Sequence, residues 1–169
     1  MSARVGVAAI RRMATDACEI CNVAAASQQK TPHYFVEFAA KGPVRYFYTS
    51  PLRTMLIRTF EDFMSFKPHF DAVPGSFVFC IDCKGMEARH YPPLEVSKRI
   101  IKYIAREMPN MQAFWIINPN ALVYTVLKII MPFMENGLRK KMKVFKSLDG
   151  DFVFELLQLE RLQRPWLSV

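Results

Sequence analysis

A nearly continuous apolar run, "SFVFCID" at residues 76–82, most limits how this chain can fold. Proline and glycine precede it in "KPHFDAVPG", and a further glycine follows it in "CKGM", so breakers confine the run to the length of a strand. Apolar and polar residues do not alternate within it, which is typical of a strand that is covered on both faces. The run therefore predicts a central strand of a sheet.

Two more strands follow this run, each after a helix. The segment "LEVSKRIIKYIAREM" begins after Pro93 and has helical spacing, with its predicted inward positions at Val96, Ile100, Ile101 and Ile104. The strand "AFWIIN", the helix "NALVYTVLKIIMPFM" and the strand "KMKVFKS" come next. Strands that are joined by helical crossovers pair in parallel with a right-handed connection. The sequence therefore predicts an α/β fold, with a mostly parallel sheet and helices on its faces.

The remaining segments predict further helices and a pair of strands. Small or apolar residues recur at helical spacing from residue 3 to about residue 26, which puts Cys18 and Cys21 on a buried helical face. "HYFVEFAA" and "PVRYFYT" predict two strands that form a hairpin or the edge of the sheet. "LRTMLIRTFEDFMSF" predicts a helix that begins near Leu52, and "DFVFELLQLERLQ" predicts a closing helix.

The size and composition of the chain fit one globular domain. We divide its 169 residues into an N-terminal helical segment, residues 1–30, and an α/β domain, residues 31–169. The 14 Phe and 10 Met favour an adaptable apolar pocket, and no apolar stretch reaches the about 18 to 20 residues of a membrane span. The start of the chain has the composition of a mitochondrial presequence, while four cysteines without a secreted pattern fit a reducing compartment. We expect a cytoplasmic or mitochondrial location.

Two Cys-x-x-Cys pairs, Cys18 with Cys21 and Cys80 with Cys83, raise the question of a zinc ribbon with four thiolate ligands. Against it, Cys80 and Cys83 lie on a predicted strand, where their side chains point to opposite faces. The two pairs are also much farther apart in sequence than is usual for a ribbon. We therefore predict buried thiols and no metal site. The three histidines, His33, His69 and His90, are predicted to be surface or capping residues.

No motif in the sequence predicts an enzyme. The chain lacks the glycine-rich phosphate loop, the dinucleotide fingerprint and the nucleophile elbow, and no nucleophile, base and orienting group are assembled. "DCKG" at residues 82–85 matches only a fragment of a nucleotide-hydrolase motif. We predict a protein that is not an enzyme and has no cofactor.

A basic run, "RKKMKVFK" at residues 139–146, contributes to the net charge of +8. Two interpretations stand side by side: binding of phosphate groups on a lipid or RNA, or a lysine-protected strand edge in contact with solvent. RNA binding would require aromatic side chains on the same exposed face, whereas Phe145 falls on a predicted core strand. Nucleic acid is therefore not an expected partner.

The segments "VFCIDCKGM" and "FWIINPNALVYTVLKIIMPFMENGLRKKMKVF" resemble the CRAL-TRIO lipid-binding domains. The first is similar to the strand and turn "vvDlkGl" of that family. The second is similar, without a gap, to the stretch that runs from an "iiNaP" strand end through the gate helix and "PFL" to a lysine-led strand. The resemblance covers Phe77 to Phe145 and extends more weakly from Lys41. This sequence has "NPN" instead of "NaP" and "QRPWL" instead of "LPkefGG", and a short segment stands where the family has a helical domain.

The resemblance implies an α/β sandwich that holds one hydrophobic molecule under a mobile gate helix, here Ala121 to Met134. Residues 31–169 would form the lipid-binding domain. By the same resemblance, Lys141 occupies the position of a lysine that recognises an inositol phosphate. The implied ligand-binding residues are Phe79, Ile81, Trp115, Ile117, Leu122, Val126, Ile129, Ile130, Phe133, Lys141 and Lys143.

Two functions follow from the resemblance. The first is a non-enzymatic module that binds or transfers a phospholipid or another hydrophobic small molecule, with peripheral contact to a membrane. The alternative is a degenerate member of the family, with a collapsed cavity, that serves as a structural subunit among protein partners in a large mitochondrial or cytoskeletal assembly.

Overall fold

The computed structural model describes residues 18–28, 32–39, 45–73 and 75–146. Five strands form one sheet in the order β1-β2-β3-β4-β5. The first two strands pair antiparallel, and every later pair is parallel. The strands are β1 (Val36–Ala39), β2 (Arg45–Thr49), β3 (Phe77–Asp82), β4 (Met111–Ile117) and β5 (Met142–Phe145).

Six α-helices lie between or before these strands in the described parts of the chain. The helices are α1 (Glu19–Ala26), α2 (Phe60–Met64), α3 (Lys67–Asp71), α4 (Leu94–Glu107), α5 (Ala121–Ile130) and α6 (Asn136–Lys141). Short 3-10 turns occupy Ala88–His90 and Met131–Phe133. No described helix is long and apolar enough to cross a bilayer.

The predicted α/β class and mostly parallel sheet are confirmed. The run at residues 76–82 forms β3, which lies third of five strands and is buried along nearly its whole length. The strand pair predicted before it is the antiparallel β1–β2 pair at the sheet edge. The closing helix, and the predicted N-terminal helix before residue 18, lie outside the described residues.

The prediction of a long helix that begins near Leu52 is wrong. Helix α2 begins only at Phe60, because Thr59 and Asp62 form a capping box that fixes its start. The backbone N–H of Met55, which a helix would use internally, instead donates to the carbonyl of Pro32 at 2.6 Å. The proline-containing segment "KPHFDAVPG" that follows includes a helix of its own, α3. Pro68 is tolerated there because it lies in the first turn, where a missing N–H costs little.

The lysine-led strand also begins later than predicted. Lys141 is the last residue of α6, and β5 starts at Met142. The gate helix is shorter than Ala121 to Met134, because α5 ends at Ile130 and a 3-10 turn containing Pro132 follows.

The core on one face of the sheet is built from closely packed aromatic rings. Phe47 of β2 is fully buried, and its ring centroid lies 4.3 Å from that of Phe35 and 5.4 Å from that of Phe70. Phe79 of β3 lies beside it at 6.1 Å. Helices α2, α3 and α4 cover this face with the core side chains Phe63, Phe70 and Ile104, and Phe66 packs from the junction between α2 and α3.

The opposite face of the sheet has its own buried cluster, since side chains alternate between faces along each strand. It contains Tyr48, Val78, Cys80, Trp115 and Ile117. The sheet is therefore buried on both faces, as the continuous apolar run in β3 predicts.

Replacement of Phe47 by Ala should lower the free energy of unfolding by about 3–5 kcal/mol, because it leaves a cavity among rings that cannot collapse into it. Urea titration followed by circular dichroism measures the change. Phe133→Ala is the matched control: that ring is 51% exposed, so its loss should change stability by less than about 0.5 kcal/mol. An equal effect of the two substitutions would contradict this description of the core.

Candidate hydrophobic ligand site

A cavity of about 230 Å³ lies between the sheet and the helices α4 and α5. Apolar side chains form nearly all of its wall. The sheet contributes Phe79, Ile81, Phe114 and Ile116, and the helices contribute Ile100, Ile101, Ile104, Val123, Val126, Leu127 and Ile130. Such a cavity can hold a hydrophobic molecule and offers it few polar contacts.

Three polar residues, Asp82 at the end of β3 and Asn118 and Asn120 after β4, fix the position of α5 over the cavity. Asn118 adopts a left-handed backbone conformation (φ = 52°), which asparagine tolerates, and its side-chain amide donates to Asp82 at 3.0 Å. Asn120 caps α5 by accepting from the N–H of Val123, and its amide donates to the carbonyl of Met86 at 2.7 Å. The unusual "NPN" sequence thus ties the start of the helix to the turn after β3.

Asp82 is buried at the end of β3 and holds this corner together. It accepts hydrogen bonds from the hydroxyl of Tyr48 at 2.6 Å and from the backbone N–H of Lys84 at 3.0 Å. Burial, and then the bond to Asp82, raise the pKa of Tyr48 well above its ordinary value, so the tyrosine remains a neutral donor. The corner is a structural network rather than a pair of catalytic groups.

Most hydroxyl groups on the cavity wall already have partners within the protein. Thr49 donates to the carbonyl of Tyr34, Thr54 donates to the carbonyl of Pro32, and Ser97 donates to the carbonyl of Pro92. Tyr91 differs, because its hydroxyl is buried and has no hydrogen-bond partner among the described residues. Desolvation, with a smaller contribution from Cys83, raises the pKa of Tyr91 to about 12. The cavity therefore offers one uncommitted neutral hydroxyl.

Four of the predicted ligand-binding residues line this cavity: Phe79, Ile81, Val126 and Ile130. The prediction assigns Trp115 and Ile117 to the cavity as well, and the structure places both in the cluster on the opposite face. Strand β4 has an extra residue opposite the step from Phe77 to Val78. The pairing of β4 with β3 is therefore shifted by one residue beyond that step. The shift brings Phe114 and Ile116 to the cavity side in their place.

The other predicted residues lie outside the cavity wall. Leu122 is half-buried, and Ile129 and Phe133 are exposed on the outer side of the gate region. Lys141 is half-buried at the end of α6. Lys143 is exposed on β5 and pairs with Trp115, which puts it on the face away from the cavity.

The ligand prediction missed the contribution of α4. Ile100, Ile101 and Ile104 line the cavity, and all three belong to the inward face that the helical spacing predicts. Their periodicity was therefore a usable signal. Nothing in the sequence marks Tyr91, because its role depends on the turn that precedes α4.

The cysteines divide between the core and a separate cluster. Cys80 is buried with Trp115 on one face of the sheet, while Cys83 packs with Met86 and Ile116 beside the cavity. Neither lies in the cluster formed by Cys18 and Cys21, so the four thiols do not surround one centre. Burial raises the pKa of Cys83 to about 12, which leaves it an unreactive thiol.

The prediction that His33 and His69 are surface or capping residues is wrong. Both are buried, and both lie beside Cys18 and Cys21. His90 does cap a turn, because its Nδ1 accepts the backbone N–H of Glu87 at 2.9 Å.

Comparison with known proteins identifies a family model and structural relatives. The model of the CRAL/TRIO domain matches residues 48–164. Among 28 matching chains of solved structures is the crystal structure of Sfh5, with a TM-score of 0.51 and 14% sequence identity. The alignment covers 66% of this chain and 46% of Sfh5, so the chain spans about half the length of that protein. No curated protein sequence matches significantly. At this identity, the likeness to Sfh5 shows the fold.

Tyr91→Phe should raise the free energy of unfolding of the ligand-free protein by about 1 kcal/mol, because it removes a buried hydroxyl that has no partner in the described part of the chain. Tyr48→Phe is the paired variant and should lower it by about 1.5–3 kcal/mol, since it removes a hydrogen bond to a buried carboxylate. Chemical denaturation of both variants gives the two signs. Destabilisation by Tyr91→Phe of the same size as that by Tyr48→Phe would contradict the assignment of an uncommitted hydroxyl.

Proposed function

We propose that this chain, which belongs to the CRAL/TRIO domain family, is a non-enzymatic lipid-binding module. It binds one small neutral lipid between its sheet and the gate helix α5. Membership of this family supports a general role in binding hydrophobic molecules rather than catalysis, and it confirms the resemblance found in the sequence. The observation that carries the finer proposal is the apolar cavity with a single uncommitted hydroxyl.

The wall of the cavity favours a neutral ligand over a phosphoinositide. No lysine or arginine is among the described residues that line it, and His90 is the one basic side chain in that set. A phosphate group placed there would lose its hydration without gaining a cation, which is costly in an apolar site. The hydroxyl of Tyr91 can instead form a hydrogen bond with an alcohol, an aldehyde or another uncharged oxygen of the ligand.

The volume of the cavity favours a slender ligand. At about 230 Å³ it is smaller than the roughly 300–1,000 Å³ that is usual for ligand pockets. A single-chain lipid is therefore a better fit than a lipid with two acyl chains, which would have to displace α5. The transfer of phospholipid, the alternative role in a large assembly and the location in the cell remain predictions.

Native mass spectrometry of the full chain under gentle conditions should show a bound mass, and organic extraction should release one neutral single-chain lipid. Val126→Trp should reduce the bound fraction at least about tenfold, because the larger ring fills the cavity from α5. The matched control is Val144→Trp on β5, whose side chain is 37% exposed and outside the cavity wall. Retained ligand in Val126→Trp, or no bound mass in any preparation, would count against the proposal.

The outer side of the gate region is suited to contact with a membrane during exchange of the ligand. Ile129 and Phe133 are 48% and 51% exposed, and the ammonium group of Lys98 lies 4.4 Å from the centroid of the Phe133 ring. Exposed apolar side chains beside a cation fit the boundary between acyl chains and headgroups. We infer that this surface meets the bilayer when α5 opens.

The double substitution Ile129→Ser with Phe133→Ser should slow transfer of the bound lipid to phosphatidylcholine vesicles several-fold. The amount of lipid bound should not change, since neither side chain lines the cavity. Fluorescence transfer of a labelled fatty alcohol measures the rate, with Val144→Ser as the control on an exposed apolar residue elsewhere. Unchanged transfer in the double variant would remove the proposed membrane contact.

A further inference from the structure

Two cysteines and two histidines meet outside the lipid cavity, in a cluster that lipid binding does not explain. Cys18, Cys21, His33 and His69 have only 1%, 0%, 3% and 2% of their surface exposed. Each offers one donor atom, and these four atoms all lie within 4.8 Å of one another. They come from the start of α1, from the segment before β1 and from α3.

The spacing of the donor atoms fits a tetrahedral metal ion with two sulfur and two nitrogen ligands. Nδ1 of His33 lies 3.3 Å from Sγ of Cys18 and 3.4 Å from Sγ of Cys21. Nε2 of His69 lies 3.5 Å from Sγ of Cys21 and 3.0 Å from Nδ1 of His33. Tetrahedral zinc, with bonds of about 2.3 Å to sulfur and about 2.0 Å to nitrogen, separates a sulfur from a nitrogen by about 3.5 Å and two nitrogens by about 3.3 Å.

The hydrogen bonds of His33 leave its Nδ1 available as a ligand. The hydroxyl of Ser65 donates to the carbonyl of Asp62 at 2.6 Å, so its oxygen accepts from Nε2 of His33 at 2.8 Å. A proton on Nε2 places the lone pair on Nδ1, which faces the cluster.

The two thiols also need a cation to become good ligands. A divalent ion would displace the proton and compensate the buried thiolate. Cys18 and Cys21 are separated by two residues at the start of a helix, which is a common spacing for zinc ligands.

Helix α1 has too few apolar contacts to be held in place by packing alone. It is eight residues long, and among its described side chains only Cys21 and Ala24 are buried. Ile20 and Val23 are 49% and 65% exposed. Helices shorter than about 12–15 residues are marginal in water without such packing. A bond between this helix and α3 would supply what the packing lacks.

We propose that Cys18, Cys21, His33 and His69 form a structural zinc site that fastens α1 to the loop before β1 and to α3. Two sulfur and two nitrogen donors in a tetrahedral arrangement select zinc among the common divalent ions. Four protein ligands leave no open position for a substrate, so the site has no catalytic role. It is independent of the lipid cavity, and either assignment can fail without the other.

Elemental analysis tests the site on the full chain, expressed with zinc in the medium and purified without a histidine tag. About one zinc per chain is expected. Cys21→Ser should lower the zinc content at least about tenfold, while Cys83→Ser, a buried thiol outside the cluster, should retain it. Zinc below about a tenth of an equivalent in the unaltered chain, or equal loss in both variants, would overturn the proposal.

Cobalt substitution gives a second measurement that does not depend on zinc content. Co²⁺ in the unaltered chain should show the intense visible bands of a tetrahedral site with two thiolates. His69→Cys should still bind the ion and shift these bands to longer wavelength with stronger thiolate charge transfer, because a third sulfur replaces a nitrogen. The weak spectrum of an octahedral ion, or a His69→Cys spectrum identical to that of the unaltered chain, would overturn the assignment of ligands.

Hydrogen exchange then tests what the metal does. Removal of zinc by a chelator should increase exchange at least about tenfold in α1 and leave the central strand β3 unchanged, because β3 has its own pairing on both sides. Unchanged exchange in α1 would overturn the fastening role.

Discussion

The pairing of β3 with β4 decides which side chains meet on each face of the sheet. The two strands start in register at Phe77 and Met111, and one extra residue in β4, Gln112, then shifts the pairing. Beyond that point Phe79 lies opposite Phe114 and Ile81 lies opposite Ile116. Because side chains alternate along a strand, this shift determines the sheet side of the cavity and sends Trp115 to the opposite core.

The sheet is held rigidly while its covering helices differ in how they are attached. Stacked rings around Phe47 join the sheet to α2 and α3. Helix α5 is fixed at its start by Asn120 and faces the cavity along its inner side. Helix α1 has little apolar contact and meets the domain through cysteines and histidines. The fold thus combines a packed core with helix α5 over the cavity and helix α1, which is attached separately.

Sequence patterns predicted the strands, the crossover helices and the inward positions of α4, since each depends on a local sequence pattern. They failed where a distant contact decides the outcome. Trp115 was misplaced because an inserted residue in β4 has no local signature. His33 and His69 looked like loop histidines because they are 36 positions apart in the sequence, which hides their proximity in space. The Cys-x-x-Cys pair of Cys18 and Cys21 was recognised in the sequence, and Cys80 and Cys83 were considered as its partners. Those two cysteines lie in other clusters of the structure.

Binding of a lipid between α5 and one face of the sheet can be tested at individual methyl groups. Nuclear Overhauser contacts between a bound long-chain fatty alcohol and isoleucine methyl groups distinguish the two faces. The alkyl chain should show contacts to Ile81 and Ile130, which line the cavity, and none to Ile117, which lies on the other face. Contacts to Ile117 without contacts to Ile81 would contradict it.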